Sequence, residues 1–157
     1  MRILIYTHAF APMIGGLETH VMTLAQGLAR QATGGDLEIT LVTPAPAGNW
    51  DDTALPFRIV RQPGLLTLLG LLRRADVIHL AGPTFLPMLF GLLLRKPVVV
   101  EHDIYQAACP NGLLLDERTR TVCPGHYMAR HYLECVRCNT GNVGVRKSLT
   151  MLLLTFL

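Results

Sequence analysis

The sequence predicts an α/β fold, a Rossmann-like parallel sheet with flanking helices. Three observations carry this. Short apolar, β-branched runs alternate with Leu-rich segments of helical period, the pattern of strand–helix–strand crossovers. The strand-like runs are almost continuously apolar, as expected of parallel strands covered on both faces. The first run leads through a Gly-Gly turn directly into an amphipathic helix.

The elements follow in order. Arg2 to Thr7 reads as a buried strand, and the turn Ala11 to Gly16 follows it. From Leu17 the period changes: Leu17, Val21, Leu24, Ala25 and Leu28 recur at helical spacing, and Gly34-Gly35 closes the helix. Leu37 to Thr43 is a second strand, Pro44 to Pro56 a polar, Pro/Gly-rich loop, and Phe57 to Arg61 a third strand. Leu65 to Arg74 is a Leu-rich helix ending on two arginines, and Asp76 to Leu80 a fourth strand. Pro83 to Leu94 is a helix with proline near its start, where the ring is tolerated, and Pro97 to Glu101 is a fifth strand. From residue 102 to about 141 no period is visible, and this irregular, Cys-rich insert holds all four cysteines. Val143 to Leu157 returns to a helical composition. Its uncapped end, LTMLLLTFL, suggests an element that continues elsewhere.

Composition narrows the class. The 157 residues are half hydrophobic and only 16% charged, which excludes disorder. Four cysteines are too sparse for a disulfide-dense miniprotein, and the length fits one domain. The net charge of +3 is mild, and the basic residues form no stripe, so no nucleic-acid partner is expected. The pairs Arg73–Arg74, Arg95–Lys96 and Arg146–Lys147 adjoin apolar runs and read as solvated helix ends or as a patch for anionic head groups. No run has the length of a signal core or a bilayer span, so the chain reads as cytoplasmic, with reduced thiols and at most peripheral contact with a membrane.

In open α/β sheets ligands gather at the carboxyl ends of the strands. After the first strand come His8 and the Gly15-Gly16 turn. Glycine allows close backbone approach there, and the free N–H groups of a helix start suit an anion. The pattern is not GxGxxG, so a nicotinamide cofactor is not indicated. After the fourth strand come Gly82 and Thr84, and His79 inside it reads as a hydrogen-bonded core histidine. After the fifth come His102 and Asp103, where an imidazole can meet a substrate hydroxyl and a carboxylate can orient it.

The stretch RILIYTHAFAPMIGGLETHVMTLAQGLA resembles the opening of the family 4 retaining glycosyltransferases of the GT-B fold, and ADVIHLAGPTFLPMLFGLLLRKPVVVEHD resembles their fourth strand, helix and fifth strand. The resemblance runs from Met1 to about Asp103, roughly two thirds of the chain, and extends more loosely into the Cys-rich insert, whose pattern resembles that of a subset of the family. It implies an N-terminal, acceptor-side domain of an enzyme that moves a sugar from a nucleotide-sugar donor to a glycan or lipid-linked saccharide, with retention. It implies that Gly15 and Gly16 lie over the donor diphosphate, that Glu18 helps hold that loop, and that His102 contacts the donor sugar at the reaction centre. His8, Gly82, Thr84 and Asp103 become candidate lining of the acceptor side. The family's C-terminal donor domain carries a Glu-x7-Glu element. None follows His102 here, so the donor domain is expected to be absent and the chain inactive alone. The rival expectation is a non-catalytic, metal-stabilised binding module.

Cys109, Cys123, Cys135 and Cys138 have the spacing C-x13-C-x11-C-x2-C. The terminal C-x2-C with two upstream cysteines fits a tetrahedral structural zinc, and His126 or His131 could replace a ligand. Unliganded thiols, a redox disulfide and an iron–sulfur cluster are the alternatives.

Overall fold

A computed structural model describes residues 1–32, 35–102 and 104–155, and the chain divides into two compact units, Met1–Glu101 and His102–Leu157. The first unit runs β1 (Arg2–Thr7), α1 (Gly16–Gln31), β2 (Glu38–Thr43), a 3-10 turn (Asp52–Ala54), β3 (Arg58–Arg61), α2 (Leu65–Arg74), β4 (Val77–Ala81), α3 (Phe85–Leu93) and β5 (Val98–Glu101). Its five strands form one sheet in the order β3-β2-β1-β4-β5, and every neighbouring pair is parallel. This is the Rossmann-like order, with its reversal point between β1 and β4.

Strand alternation explains why the sheet needs two helical layers. Ile5 and Leu41 face one side, with Val21 and Ala25 of α1, Phe10 and Phe57. Leu4, Val42, Ile78 and Leu80 face the other, with Leu68 and Leu72 of α2 and the partly buried Met88 and Phe90 of α3. Adjacent residues of one strand therefore enter different cores, and the strands read as continuous apolar runs. In α1, Glu18 lies in the first turn and Arg30 in the last, the signs that suit the helix dipole.

Several expected boundaries move. Helix α1 ends at Gln31, and Gly34 of the expected Gly-Gly stop lies outside the described residues. Helix α3 starts at Phe85, after Pro83, with Thr84 at its N-cap position. Pro87 falls in its first turn, where a missing N–H costs no helical bond. Gly91 of α3 faces the sheet: a Cβ there would lie 2.7 Å from Val98 and 3.1 Å from Ile78 side-chain atoms, so only glycine lets α3 come this close.

The second unit corrects the expectation of an irregular stretch. It holds a 3-10 turn (Tyr105–Ala107), a two-stranded antiparallel hairpin of β6 (Leu115–Asp116) and β7 (Thr121–Val122), and two helices, α4 (Tyr132–Val143) and α5 (Val145–Leu154). Residues 132–141, expected to be irregular, are helical, and the helix expected from Val143 starts at Val145, separated from the end of α4 by Gly144. The backbone there takes φ +77°, which favours glycine. Among the described residues no helix is long and apolar enough to cross a membrane.

Candidate functional site

The carboxyl ends of β1 and β4 lie side by side at the reversal point, where a parallel sheet opens a crevice. His8 follows β1 and is exposed, and Gly82 follows β4 and is buried. The two meet: a Cβ at Gly82 would stand 3.5 Å from the His8 ring. Gly82 has φ +90°, and its N–H donates to the carbonyl of Glu101 at 3.2 Å, which ties the ends of β4 and β5 together. Thr84 turns its hydroxyl to the Gly82 carbonyl at 3.3 Å and does not cap α3 with its side chain. Below His8, the buried Thr7 hydroxyl donates to the Ala9 carbonyl at 2.8 Å and fixes the chain as it leaves the strand.

At the start of α1 the two glycines differ. The Glu18 carboxylate folds back over Gly15, into the space that a Cβ there would need, whereas a Cβ at Gly16 would meet nothing within 4 Å. Glu18 thus supports the turn that opens the helix, and Gly16 keeps the first helical turn exposed. Glu18 also lines a cleft of about 250 Å³ with Met13, Ile14, Met22 and Trp50. A larger cavity of about 360 Å³, ringed by Arg2, Glu38, Arg58 and Arg74, opens at the amino ends of the strands, away from the crevice.

Sequence reading missed two constructions around this crevice. The loop from Pro44 to Pro56 is held by Arg61, whose guanidinium makes two 2.8 Å bonds to Asp52 and donates to the carbonyls of Ala45 and Pro46, 5.7 Å above the Phe10 ring. That clamp fixes the loop that brings Trp50 to the cleft. Second, Glu101 at the end of β5 joins two histidines: His20 of α1 at 2.6 Å and His79 of β4 at 3.1 Å. His79 is thus the hydrogen-bonded histidine expected. An apolar run ending in a single Glu gives no sign of this, because the partners lie on three separate elements.

His102 is exposed and is the first residue of the second unit. Asp103 lies outside the described residues. Of the candidate residues, His8, Gly82 and Thr84 are brought together within the first unit.

Within the second unit Cys109, Cys135 and Cys138 are buried and Cys123 is half-buried, all unpaired. Cys135 and Cys138 lie one turn apart on α4, beside Asn139 on its buried face. The Glu117 N–H donates to the Cys138 sulfur at 3.3 Å, and the Cys138 thiol points to the Leu115 carbonyl at 3.7 Å. The Cys109 thiol donates to Asn111 Oδ1 at 2.9 Å, while the same amide approaches the Cys138 sulfur at 4.0 Å. The Cys123 N–H bonds the Leu114 carbonyl across the hairpin at 2.7 Å. Burial, and then the neighbouring Cys109, Cys123 and Cys138, push the Cys135 thiol up to about 11. Beside the cluster, Asp116 accepts from Arg118, and Arg118 also reaches Glu134 at 2.9 Å. The Arg118 hydrogen bond holds the Asp116 carboxyl down at about 2. Among the described residues no three His, Cys, Asp or Glu side chains already stand in metal-holding geometry.

No family model matches the chain, and no curated protein matches it.

Proposed function

We propose that the first unit is the acceptor-side domain of a retaining, nucleotide-sugar-dependent glycosyltransferase of GT-B type. The observation that carries this reading is the meeting of His8 and Gly82 at the β1–β4 reversal point, with the Gly15-Gly16 opening of α1 following the same strand. A parallel sheet of this order binds ligands at that place, and the lack of GxGxxG argues against a dinucleotide. In this reading His8, Gly82 and Thr84, and with them Asp103, belong to the acceptor side, Gly15 and Gly16 lie over the donor diphosphate with Glu18 as their support, and His102 has the role of contacting the donor sugar. These residues position hydroxyl and phosphate groups, and none acts as a nucleophile. The acceptor is a glycan or a lipid-linked saccharide. The exposed Leu65 and Leu66 of α2 and Leu92 and Leu93 of α3 fit peripheral contact with a cytoplasmic membrane face. Transfer itself requires a donor-binding domain with Glu-x7-Glu, which these 157 residues do not hold.

The test is ligand-observed NMR on the full chain with panels of oligosaccharides and of nucleotide sugars. Oligosaccharides should bind, His8→Ala should weaken them, and nucleotide sugars should bind more weakly than about 1 mM. Micromolar binding of nucleotide sugars would contradict the division of roles, and a response to neither panel would remove the acceptor assignment.

A further inference from the structure

The second unit poses a physical problem. Among its described residues no Val, Ile, Leu, Met or aromatic side chain is buried. The buried positions are the thiols of Cys109, Cys135 and Cys138, with Pro110, Gly112, Asp116, Asn139 and Ser148. Among the described residues both apolar clusters belong to the first unit. A unit of this size without an aliphatic core needs another source of folding energy, which small domains obtain from disulfides or a metal. Among the described residues the four cysteines are unpaired.

We infer that Cys109, Cys123, Cys135 and Cys138 form a structural zinc site that takes the place of a hydrophobic core in the second unit. Three separate pieces of chain supply the sulfurs. Cys135 and Cys138 come from one turn of α4, Cys123 from the residue after β7, and Cys109 from the turn after the 3-10 helix. The hairpin bridges them: Leu115 and Glu117 of its first arm touch the Cys138 sulfur, while its second arm leads into Cys123. Asn111 spans Cys109 and Cys138.

The Cys109 sulfur meets the Asn111 side chain and the Cys138 sulfur is directed at the Leu115 carbonyl. On binding the ion each thiol would give its proton to solvent, with Cys109 leaving Asn111 and Cys138 leaving the Leu115 carbonyl. The Glu117 N–H is already aimed at the Cys138 sulfur and stabilises it as a thiolate. Four sulfurs complete a closed tetrahedral shell with no open position, so the role is structural and not catalytic. His126 stands 4.0 Å from Asp116 and 6.2 Å, ring to ring, from His131, and neither is needed as a ligand.

The experiment is metal analysis of the full chain prepared under reducing conditions without chelator, followed by cobalt(II) titration of the stripped protein. About one zinc per chain is expected, and cobalt should give the visible absorption and sulfur-to-metal charge transfer of a tetrahedral thiolate site. Cys123→Ser and Cys138→Ser should lose the bound zinc, and His126→Ala and His131→Ala should keep it. If a Cys variant fails to fold, the wild-type cobalt spectrum still decides. Reduced wild-type protein that takes up neither zinc nor cobalt would overturn the inference. So would the visible bands and labile sulfide of an iron–sulfur cluster, or a mass showing that the native cysteines are disulfide-linked.

Discussion

The two units stabilise themselves by different physics. Met1–Glu101 buries Leu, Ile, Val and Phe on both faces of a parallel sheet, whereas His102–Leu157 buries thiols, an amide, a hydroxyl and a carboxylate. Apolar burial acts at any pH and needs no ligand. A centre of sulfur and charged hydrogen bonds depends on what is bound and on protonation. The contrast teaches that two parts of one chain can respond to opposite perturbations.

The largest effect tests that directly. A strong chelator with reductant should open the second unit to protease in the full chain while the first stays resistant, since structural zinc contributes on the order of 10 kcal/mol in small domains. Mapping the cut sites by mass spectrometry checks this, and cuts spread evenly over both units would erase the distinction. Next, Leu41→Ala removes a wholly buried side chain from the central sheet and should cost about 2–5 kcal/mol in urea unfolding of the first unit. The same change should leave zinc content unaltered. Gly91→Ala forces a methyl group against Val98 and Ile78 and should cost about 1–3 kcal/mol, read as a lower Tm. Gly82→Ala places a side chain at φ +90° against His8 and should cost about 1–2 kcal/mol, again in the first unit alone.

The smallest effect is a pH dependence confined to the second unit. The Asp116 carboxyl is held at about 2 by its bond from Arg118, below the ordinary 3.8. A depressed carboxyl stabilises the fold above its unfolded value and loses that stabilisation as pH falls through its folded value. The stability difference between the wild type and Asp116→Asn should therefore be full at pH 5 and shrink between about pH 4 and pH 2. Denaturant curves at several pH values measure it, and a gap independent of pH would show that Asp116 acts only through packing.

How far the sequence was legible follows the same division. All five strands of the sheet were visible as apolar β-branched runs, because burial on both faces leaves no room for polar alternation. Helix α4 was hidden for the opposite reason. Its inward face is Cys135, Cys138 and Asn139, at the helical spacing i, i+3, i+4, but none of these counts as a strong apolar marker. Its Thr140, Asn142 and Val143 are weak helix formers. At the crevice, His8, Gly82 and Thr84 could each be named from their places after strands. The Arg61–Asp52 clamp and the histidines on Glu101 could not, since such pairs exist only once separate elements are brought together. Asp52 lies in a loop whose composition reads as free, yet two hydrogen bonds from Arg61 hold it.

The position of β5 has a consequence for solubility. It is an edge strand of the sheet, its sequence is Val-Val-Val-Glu, and Val99 is half exposed. Exposed, β-branched edges are templates for growth by strand addition between molecules, a hazard that a four-residue length already limits. Here the flanks carry the defence. Arg95, Lys96 and Pro97 precede the strand and Glu101 ends it, which places charge at both ends and a residue without an N–H at the first approach. Lys96 is anchored by its ammonium on the Ala75 carbonyl at 2.7 Å, so this guard is held in place by the end of α2.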